Sequence, residues 1–368
     1  MKVCLICNQI AAWGKIGGFG TNTRRLGKGL VDAGVEVHVV VPRRGAQRRK
    51  ETLDGMTVHG ISSFEVFFGL SIFRTIDADI YHVEEPNFGG YLAQKAMPDR
   101  IHLVTSMDPR DREDWWIEFK YSTWSRKLKY PLQHFYENGS IVHRAVRNAN
   151  GVYVEADFLR FKTKKLYGLR KTPELLPKPI VIPAGPIKKA DRPLCLFLGR
   201  FDPRKRPELF FRLAARMPEI NFVAIGKAHD ESYQHYLEKH YFHLPNLQTT
   251  GFMDPFEDGR MNKLLSEAWI LIHPAAREGL PTAFQEASSF EMAVLAYVDP
   301  DHYVSSFGAV VSEDGGLDEL EEGLRALLDS DAWRKKGRAG RDYNIKHHAI
   351  DVSVARHLEV YRSFLDSR

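Results

Sequence analysis

The stretch Ile272–Ala296, IHPAAREGLPTAFQEASSFEMAVLA, predicts the end of a strand, then a tight loop, then a helix. Glu278 stands in the loop, and Glu286, eight positions later, stands about one turn into the helix. We expect Thr282 to cap this helix, whose first backbone N–H groups would then be available to an anion. Carboxylates suit hydroxyl groups and backbone amides suit phosphate, so the stretch fits a ligand that carries both, such as a sugar nucleotide.

Length and composition indicate a globular protein of two domains, because 368 residues exceed what one ordinary core holds. A hydrophobic content of 43% and a charged content of 27% are inconsistent with a disordered chain. No apolar run reaches the roughly 20 residues that span a bilayer, and the N-terminal run is too short for a signal peptide. The three cysteines fall in predicted buried strands, which indicates reduced thiols and a cytoplasmic protein.

The net charge of +5 comes with two basic clusters, at residues 43–50 and 160–171. Such clusters are typical of solvated loop and helix faces. They also suit phosphate-bearing ligands or peripheral contact with an anionic membrane, and composition alone does not separate these alternatives.

The first half begins as a βαβ unit with a glycine-rich first turn. An apolar strand at residues 3–7 precedes Gly17 and Gly18, a helix is expected from about Thr21 to Ala33, and a strand follows at residues 36–41. Glycines let the backbone approach a ligand closely. Their spacing is not that of the dinucleotide-binding G-x-G-x-x-G pattern, so a turn without a ligand remains an alternative.

Further strands are predicted at residues 57–61, 80–83, 101–105 and 151–155, and polar residues follow two of them. Glu84 and Glu85 come after one strand, and Ser106, Met107 and Asp108 come after the next. Ligands bind outside the carboxyl ends of strands in open α/β sheets, so we expect a second substrate to lie there.

Residues 113–143 interleave aromatic and basic side chains. They would form a surface that stacks on sugars or sits at a membrane interface, or they are ordinary helix packing with charged outer faces. Binding of single-stranded nucleic acid is rejected, because no nucleic-acid-binding module accompanies the pattern.

A proline-rich segment at residues 177–186 predicts a linker, which places the domain boundary at about 187/188. The α/β pattern then restarts with a strand at 194–198, followed by Gly199, Arg200 and, five positions later, Lys205. An arginine fork and a lysine at a strand end suit a diphosphate, although a solvated loop has the same composition. The next strand, 222–225, is closed by Gly226.

The remaining second half predicts strands at about 247–251, 270–272 and 295–298. Helices are expected at about 261–268, 317–329, 331–340 and 350–366.

Along nearly its whole length the sequence resembles the retaining glycosyltransferases of family 4, which have the GT-B fold. The motifs that carry the resemblance are Gly17-Gly18, Gly199-Arg200 with Lys205, Thr250-Gly251-Phe252, and Glu278-Gly-Leu-Pro with Glu286-Ala287. The resemblance implies an α/β protein of two Rossmann-like, doubly wound domains facing a central cleft. The implied domains are residues 1–187 for the acceptor, 188–345 for the nucleotide sugar, and a C-terminal helix at 346–368 that packs back on the first domain.

The resemblance also implies a role for each matching residue. Arg200 and Lys205 would bind the donor diphosphate, Glu286 would hold the ribose, and Glu278 would contact the transferred sugar. At the remaining donor positions the resemblance implies contacts between the main chain and the nucleotide sugar. These positions are Gly17, Gly18, Gly226, Phe252, Met253, Gly279, Leu280, Pro281 and Thr282. The implied reaction moves a sugar from a UDP- or GDP-linked donor to a hydroxyl-bearing acceptor with retention of configuration.

Three departures from the family pattern lie in the first half. Met107 stands at the place of a common histidine, Glu84 replaces a second histidine after His82, and Ala184 stands where asparagine is usual. We therefore expect Asp108 or Glu84 to make the polar contacts with the acceptor that the histidines would otherwise make, and Asp108 is a candidate catalytic residue.

No metal or cofactor is expected beyond the nucleotide sugar, because Arg200 and Lys205 would neutralise the diphosphate. Asp77-Ala-Asp79 matches D-x-D but precedes a strand, so we interpret it as a loop. His235, His240 and His243 share one predicted helical segment and are interpreted as a solvated face. The alternatives are a catalytically silent sugar-nucleotide-binding protein and another GT-B activity, such as a phosphorylase-like one.

Overall fold

The computed structural model describes residues 1–13, 17–62, 70–122, 127–128, 130–256, 259–329 and 331–367. They form two compact units, the first comprising Met1–Trp115, Thr123–Pro179 and His347–Arg368, and the second Trp116–Ser122 and Ile180–Lys346. The division at 179/180 precedes the predicted boundary by several residues. The transfer of residues 116–122 to the second unit has no counterpart in the sequence analysis.

The first unit contains an eight-stranded sheet in the order β3-β4-β2-β1-β5-β6-β7-β8. Every neighbouring pair is parallel except β3 with β4, which is antiparallel. The strands are β1 Lys2–Cys7, β2 Glu36–Pro42, β3 Lys50–Leu53, β4 Met56–Ile61, β5 Ile80–Glu84, β6 Ile101–Ser106, β7 Gly151–Val154 and β8 Glu174–Leu175. The two short edge strands β3 and β8 were not predicted.

Helices cover the sheet of the first unit. They are α1 Gly18–Asp32, α2 Leu70–Ile76, α3 Phe88–Ala96, α4 Arg112–Lys120 (of which residues 116–120 belong to the second unit), α5 Tyr130–Asn138, α6 Ser140–Arg147, α7 Phe158–Tyr167 and, at the C-terminus, α15 Ile350–Asp366. Helix α1 begins three residues before the predicted start at Thr21, so Gly18 and Gly20 lie inside the helix rather than in a loop.

The C-terminal helix α15 belongs to the core of the first unit. Its Val354, Val360 and Tyr361 are buried in one cluster with Leu26 and Leu30 of α1. At roughly 25 cal/mol for each Å² of apolar surface removed from water, such burial is the main force that holds this helix on the sheet.

The second unit contains a six-stranded parallel sheet in the order β11-β10-β9-β12-β13-β14. Its strands are β9 Leu194–Leu198, β10 Asn221–Ile225, β11 Leu247–Gly251, β12 Ile270–His273, β13 Ala293–Ala296 and β14 Gly308–Val310. Strand β13 begins two residues before the predicted start at Leu295, and β14 was not predicted. This is the doubly wound order 3-2-1-4-5-6, in which ligands bind where the order reverses. Here the reversal lies between β9 and β12.

The helices of the second unit are α8 Pro207–Arg216, α9 Glu231–Tyr241, α10 Gly259–Glu267, α11 Thr282–Ser289, α12 Tyr303–Phe307, α13 Gly316–Asp329 and α14 Ala332–His347. Two 3₁₀ turns, Pro203–Lys205 and Pro300–His302, complete it. Helix α9 contains His235 and His240 but ends before His243, contrary to the prediction of one helical segment. None of the helices in the described ranges has both the length and the apolar character needed to cross a membrane.

Candidate functional site

The carboxyl ends of β9 and β10 meet through two glycines. Gly199 has a φ of +149° and Gly226 has a φ of +158°, a region that L side chains rarely adopt. A Cβ at Gly226 would lie 1.9 Å from the carbonyl oxygen of Gly199. Only glycine therefore lets the two strand ends approach this closely, which gives Gly226 a structural reason to be glycine.

A short 3₁₀ turn after β9 places Lys205. The Asp202 side chain caps the turn by accepting from the amide of Arg204 at 3.2 Å. Arg206 follows with a φ of +50° and ends the turn before α8 begins at Pro207. The turn directs consecutive cationic residues toward the neighbouring strand end at β12.

The end of β12 supplies His273 and Glu278. His273 is the last residue of the strand and is fully buried between the rings of Phe197 and Phe284. The loop that follows contains Glu278, and α11 begins at Thr282. The N-cap is Pro281, with no side-chain cap bond, so the prediction that Thr282 caps the helix was wrong.

Glu278 is the centre of a charged cluster at the point where the strand order reverses. Lys205 Nζ donates to its Oε1 at 2.7 Å, and His273 Nε2 lies 3.1 Å from the same oxygen. The Arg204 guanidinium lies 3.8 Å from Oε2. Because a carboxylate only accepts, His273 must carry its proton on Nε2. The structure thus brings together Lys205 and Glu278, and it adds Arg204 and His273, which sequence reasoning missed.

The electrostatics of this cluster follow from burial and two cations. Burial alone would raise the pKa of Glu278, but Lys205 and Arg204, with a hydrogen bond from His273, hold it well below the usual value. Burial, then Lys205, lowers the pKa of His273. The site therefore holds an ionised carboxylate and a neutral imidazole near neutral pH.

A second set of ion pairs holds the 3₁₀ turn Pro203–Lys205 in place. Glu118 lies 3.2 Å from Arg204 and 3.6 Å from Arg277. Arg204 also donates to the carbonyl of Arg277 at 2.6 Å. Arg206 donates to the hydroxyl of Tyr121 at 2.5 Å. No sequence signal linked residues 116–122 to this turn, since the contacts cross about 85 positions of chain.

The other residues predicted for the donor site occupy neighbouring strand ends and loops of the second unit. Arg200 directly follows Gly199 and is half-buried, as are Glu286 on α11 and Gly279 in its loop. Leu280, Pro281 and Thr282 are buried. Phe252, after β11, is 53% exposed, and Met253 is half-buried. Whether these residues bind a donor stays a prediction.

In the first unit, Gly17 is the N-cap of α1 and Gly18 its first residue. Asp108 follows β6, and its carboxylate is paired with Arg110 at 3.2 Å. Glu85 organises this loop by accepting from the amides of Met107 and Asp108 at 2.6 and 3.1 Å. The catalytic role predicted for Asp108 stays a prediction.

Two adjacent glutamates at the end of β5 have raised pKa values. Burial, then Glu155 and Glu85, raises the pKa of Glu84 to about 8, and burial, then Asp108, raises that of Glu85 to about 8. Lys178 donates to Glu155 at 3.1 Å in a buried pair.

His82 lies in the middle of β5, within the strand predicted at residues 80–83. His82 is fully buried. Asp79 accepts from the amide of Lys2 at 2.7 Å, and Asp77 accepts from Arg100 at 2.6 Å. The interpretation of Asp77–Asp79 as a loop is confirmed, since both aspartates precede β5.

The aromatic and basic stretch is partly described. Trp115 packs edge-on against Tyr130 and His134, as ordinary helix packing would have it. Trp116 is 66% exposed and stacks on Phe119. Trp124, Arg126 and Lys129, which belong to the same predicted surface, lie outside the described residues.

The sequence matches two family models. Residues 182–342 match the glycosyl transferases group 1 model, which spans β9 to β14 and the cluster around Glu278. The second half of the chain is therefore similar to the glycosyl transferases group 1. Residues 2–108 match the starch synthase catalytic domain model. No curated protein sequence is significantly similar to the chain.

Solved structures similar to this chain share its fold at low sequence identity. Sucrose-phosphate synthase from Thermosynechococcus elongatus has a TM-score of 0.76 at 16% identity over 100% of both chains. Anabaena HepE, in complex with UDP and glucose, has a TM-score of 0.73 at 12% identity over 98% of this chain and 99% of its own. Starch synthase IV from Arabidopsis thaliana, bound to ADP and acarbose, has 0.69 at 12% identity over 98% of each. The predicted GT-B fold is confirmed.

Proposed function

We propose that this protein transfers a sugar from a UDP- or GDP-linked donor to a hydroxyl-bearing acceptor, with retention of anomeric configuration and without a metal. The observation that carries the proposal is the ionised Glu278 held by Lys205 at the reversal of strand order in the second unit. A doubly wound sheet binds its ligand at that point.

Lys205 and Arg204 would bind the donor diphosphate in place of the Glu278 carboxylate that they contact in the free protein. In the free protein Glu278 neutralises both cations, at 2.7 and 3.8 Å. A diphosphate with more negative charge would compete for them, since charge-assisted hydrogen bonds to phosphate are strong. Glu278 would then turn its oxygens toward the hydroxyls of the sugar, while Arg200 approaches the same diphosphate.

The chemistry requires charge stabilisation and positioning more than acid–base groups. The bond from the anomeric carbon to the phosphate oxygen breaks, and the acceptor oxygen bonds to that carbon on the same face. The leaving phosphate accepts the acceptor proton, and Lys205 and Arg200 stabilise its developing charge.

Two of the similar structures support a nucleotide-sugar donor. Anabaena HepE was solved with UDP-glucose, and starch synthase IV with ADP. We infer a donor of the same class, because the residues that match the family motif, Arg200, Lys205, Glu278 and Glu286, all lie in the second unit.

For the acceptor we infer a glycan, a glycolipid or a small glycoside. We also infer that the protein makes peripheral contact with an anionic membrane. Leu132 of α5 and Phe161 of α7 are 69% and 75% exposed, and basic residues flank Phe161 along α7. Apolar side chains surrounded by cations suit an anionic lipid surface.

The test is a panel of nucleotide diphosphates and their sugars, measured first by thermal shift and then by product formation. Binding to the native state raises the melting temperature by mass action. We expect one nucleotide class to stabilise the protein, Lys205→Ala to abolish that shift, and Lys263→Ala, an exposed lysine of the same unit, to retain it. Equal shifts in both variants would contradict the proposal. Binding without transfer to any acceptor would favour a catalytically silent sugar-nucleotide-binding protein.

A further inference from the structure

A cluster of three buried side chains in the first unit has the composition of a metal site. His82 and Glu84 are two positions apart on β5, so their side chains leave the same face of the sheet. His357 of α15 packs on that face. One ligand atom from each of the three lies within 4.8 Å of the other two. The side chains of His82 and Glu84 approach to 3.7 Å between Nε2 and Oε1.

One oxygen of the buried Glu84 carboxylate has no hydrogen-bond partner. The residue is 5% exposed, and the oxygen is Oε1. Burying an unpaired carboxylate is costly. A cation beside Oε1 would supply this buried oxygen with a partner.

Both imidazoles are oriented as metal-binding histidines usually are. His357 Nδ1 lies 2.8 Å from the carbonyl of Ser353, so it carries the proton and leaves the lone pair on Nε2. His82 Nδ1 lies 2.7 Å from the hydroxyl of Tyr361. Histidine ligands almost always hydrogen-bond through the second ring nitrogen in this way.

We propose that His82, Glu84 and His357 form a structural zinc site inside the first unit. Two imidazoles and one carboxylate suit Zn²⁺, whereas Mg²⁺ prefers oxygen ligands and retains its water. Zinc bonds to nitrogen and oxygen are about 2.1 Å long, so the three side chains would draw together around the ion. The Thr105 hydroxyl, 2.8 Å from His82 Nε2, would lose this hydrogen bond and would either move away or become the fourth ligand of the ion. The ion would tie α15 to β5 and takes no part in sugar transfer.

The experiment uses the full chain, stripped with a chelator, loaded with ZnCl₂ and desalted. We expect about one zinc per chain by elemental analysis, and a higher melting temperature than for the stripped protein. MgCl₂ in place of zinc should give no shift. Loading with Co²⁺ should give the visible absorption of a low-symmetry site with nitrogen ligands, and this absorption should disappear in Glu84→Gln.

The decisive comparison is His357→Gln against the double variant His235→Gln/His240→Gln, which removes two exposed histidines of α9. His357→Gln should lose the bound zinc and the double variant should keep it. If His357→Gln does not fold, Glu84→Gln, which is nearly the same shape, replaces it, and near-UV circular dichroism checks that it is folded. Loss of zinc from the double variant alone, or no retained zinc in the wild type, would overturn the proposal. Because nucleotide binding is measured separately in the second unit, failure of the zinc site leaves the proposed function unaffected.

Discussion

Glu278 accepts a hydrogen bond from Lys205 across 73 positions of sequence, at 2.7 Å between Oε1 and Nζ. The parallel sheet makes this possible, because β9 and β12 are neighbours and their carboxyl ends open on the same edge. A loop after one strand can therefore supply the cation and a loop after the other the carboxylate. The pair is mostly buried, with side chains 14% and 11% exposed.

Glu278→Gln should reduce sugar transfer roughly 100-fold, because the variant keeps the shape but loses the charge that faces the transferred sugar. It should also lower the free energy of unfolding by about 3 kcal/mol, since the mostly buried Lys205 would lose its carboxylate partner while Arg204 keeps Glu118. Product formation and urea unfolding measure the two effects. The exposed Glu231→Gln is the control and should change neither.

The ionised Glu278 carboxylate should make the stability of the protein depend on pH. The pKa of Glu278 is well below its unfolded value, so its contribution to stability is complete above about pH 5 and is lost as the pH falls below about 4.3. Urea unfolding between pH 6 and pH 3 should show wild type and Glu278→Gln converging at the acid end. A constant difference across this range would show that the carboxylate is not held ionised by its neighbours.

His273 is predicted to act on the reaction through Glu278. In His273→Phe the ring would still pack between Phe197 and Phe284, but Glu278 would lose a donor at 3.1 Å. We expect kcat to fall about tenfold, which corresponds to the ~1.5 kcal/mol of a hydrogen bond to a charged group. KM for the donor should change little if His273 only positions the carboxylate. His273→Gln, which restores an N–H donor, should recover part of kcat, and equal losses in both variants would instead indicate a packing role.

The sequence was sufficient for the periodic parts of this fold. Continuous apolar runs of about five residues, such as Leu194–Leu198, fit strands covered on both faces better than helices, which are longer, and they indicated two mainly parallel sheets. The three strands that were missed, β3, β8 and β14, are two to four residues long, too short to show a pattern.

For the candidate site, the sequence located residues that belong to a spaced motif and missed those that depend on tertiary contact. Lys205 and Glu278 were identified from their places at strand ends. Arg204 lies next to Lys205, but the sequence did not distinguish it from the other basic residues of a solvent-exposed loop. Glu118 gave no signal, because its partners Arg204 and Arg277 come from the other half of the chain.

Gly226→Ala should destabilise the second unit by at least about 3 kcal/mol, because the new Cβ would lie 1.9 Å from the Gly199 carbonyl oxygen in a backbone region reserved for glycine. Thermal or urea unfolding measures the change. Gly251→Ala is a matched control at the end of β11, with a φ of +71° and no atom within 4 Å of the added Cβ. It should cost about 1 kcal/mol, the price of positive φ alone. Similar losses in the two variants would show that the contact with Gly199 does not govern the effect.

The proposed membrane contact predicts that the protein sediments with vesicles containing about one third phosphatidylserine at low salt, and less at high salt, because exposed cations contribute about 1 kcal/mol each near such a surface. Leu132 and Phe135 are three positions apart on α5, and Phe161 lies on α7; both helices contact α6. Replacing these three residues with serine should reduce binding at least tenfold and leave nucleotide binding unchanged. Tyr236→Ser, at a comparably exposed aromatic residue of the second unit, should bind vesicles as the wild type does. Absence of sedimentation at low salt would favour a soluble acceptor, since the exposed apolar side chains would then have no affinity for lipid.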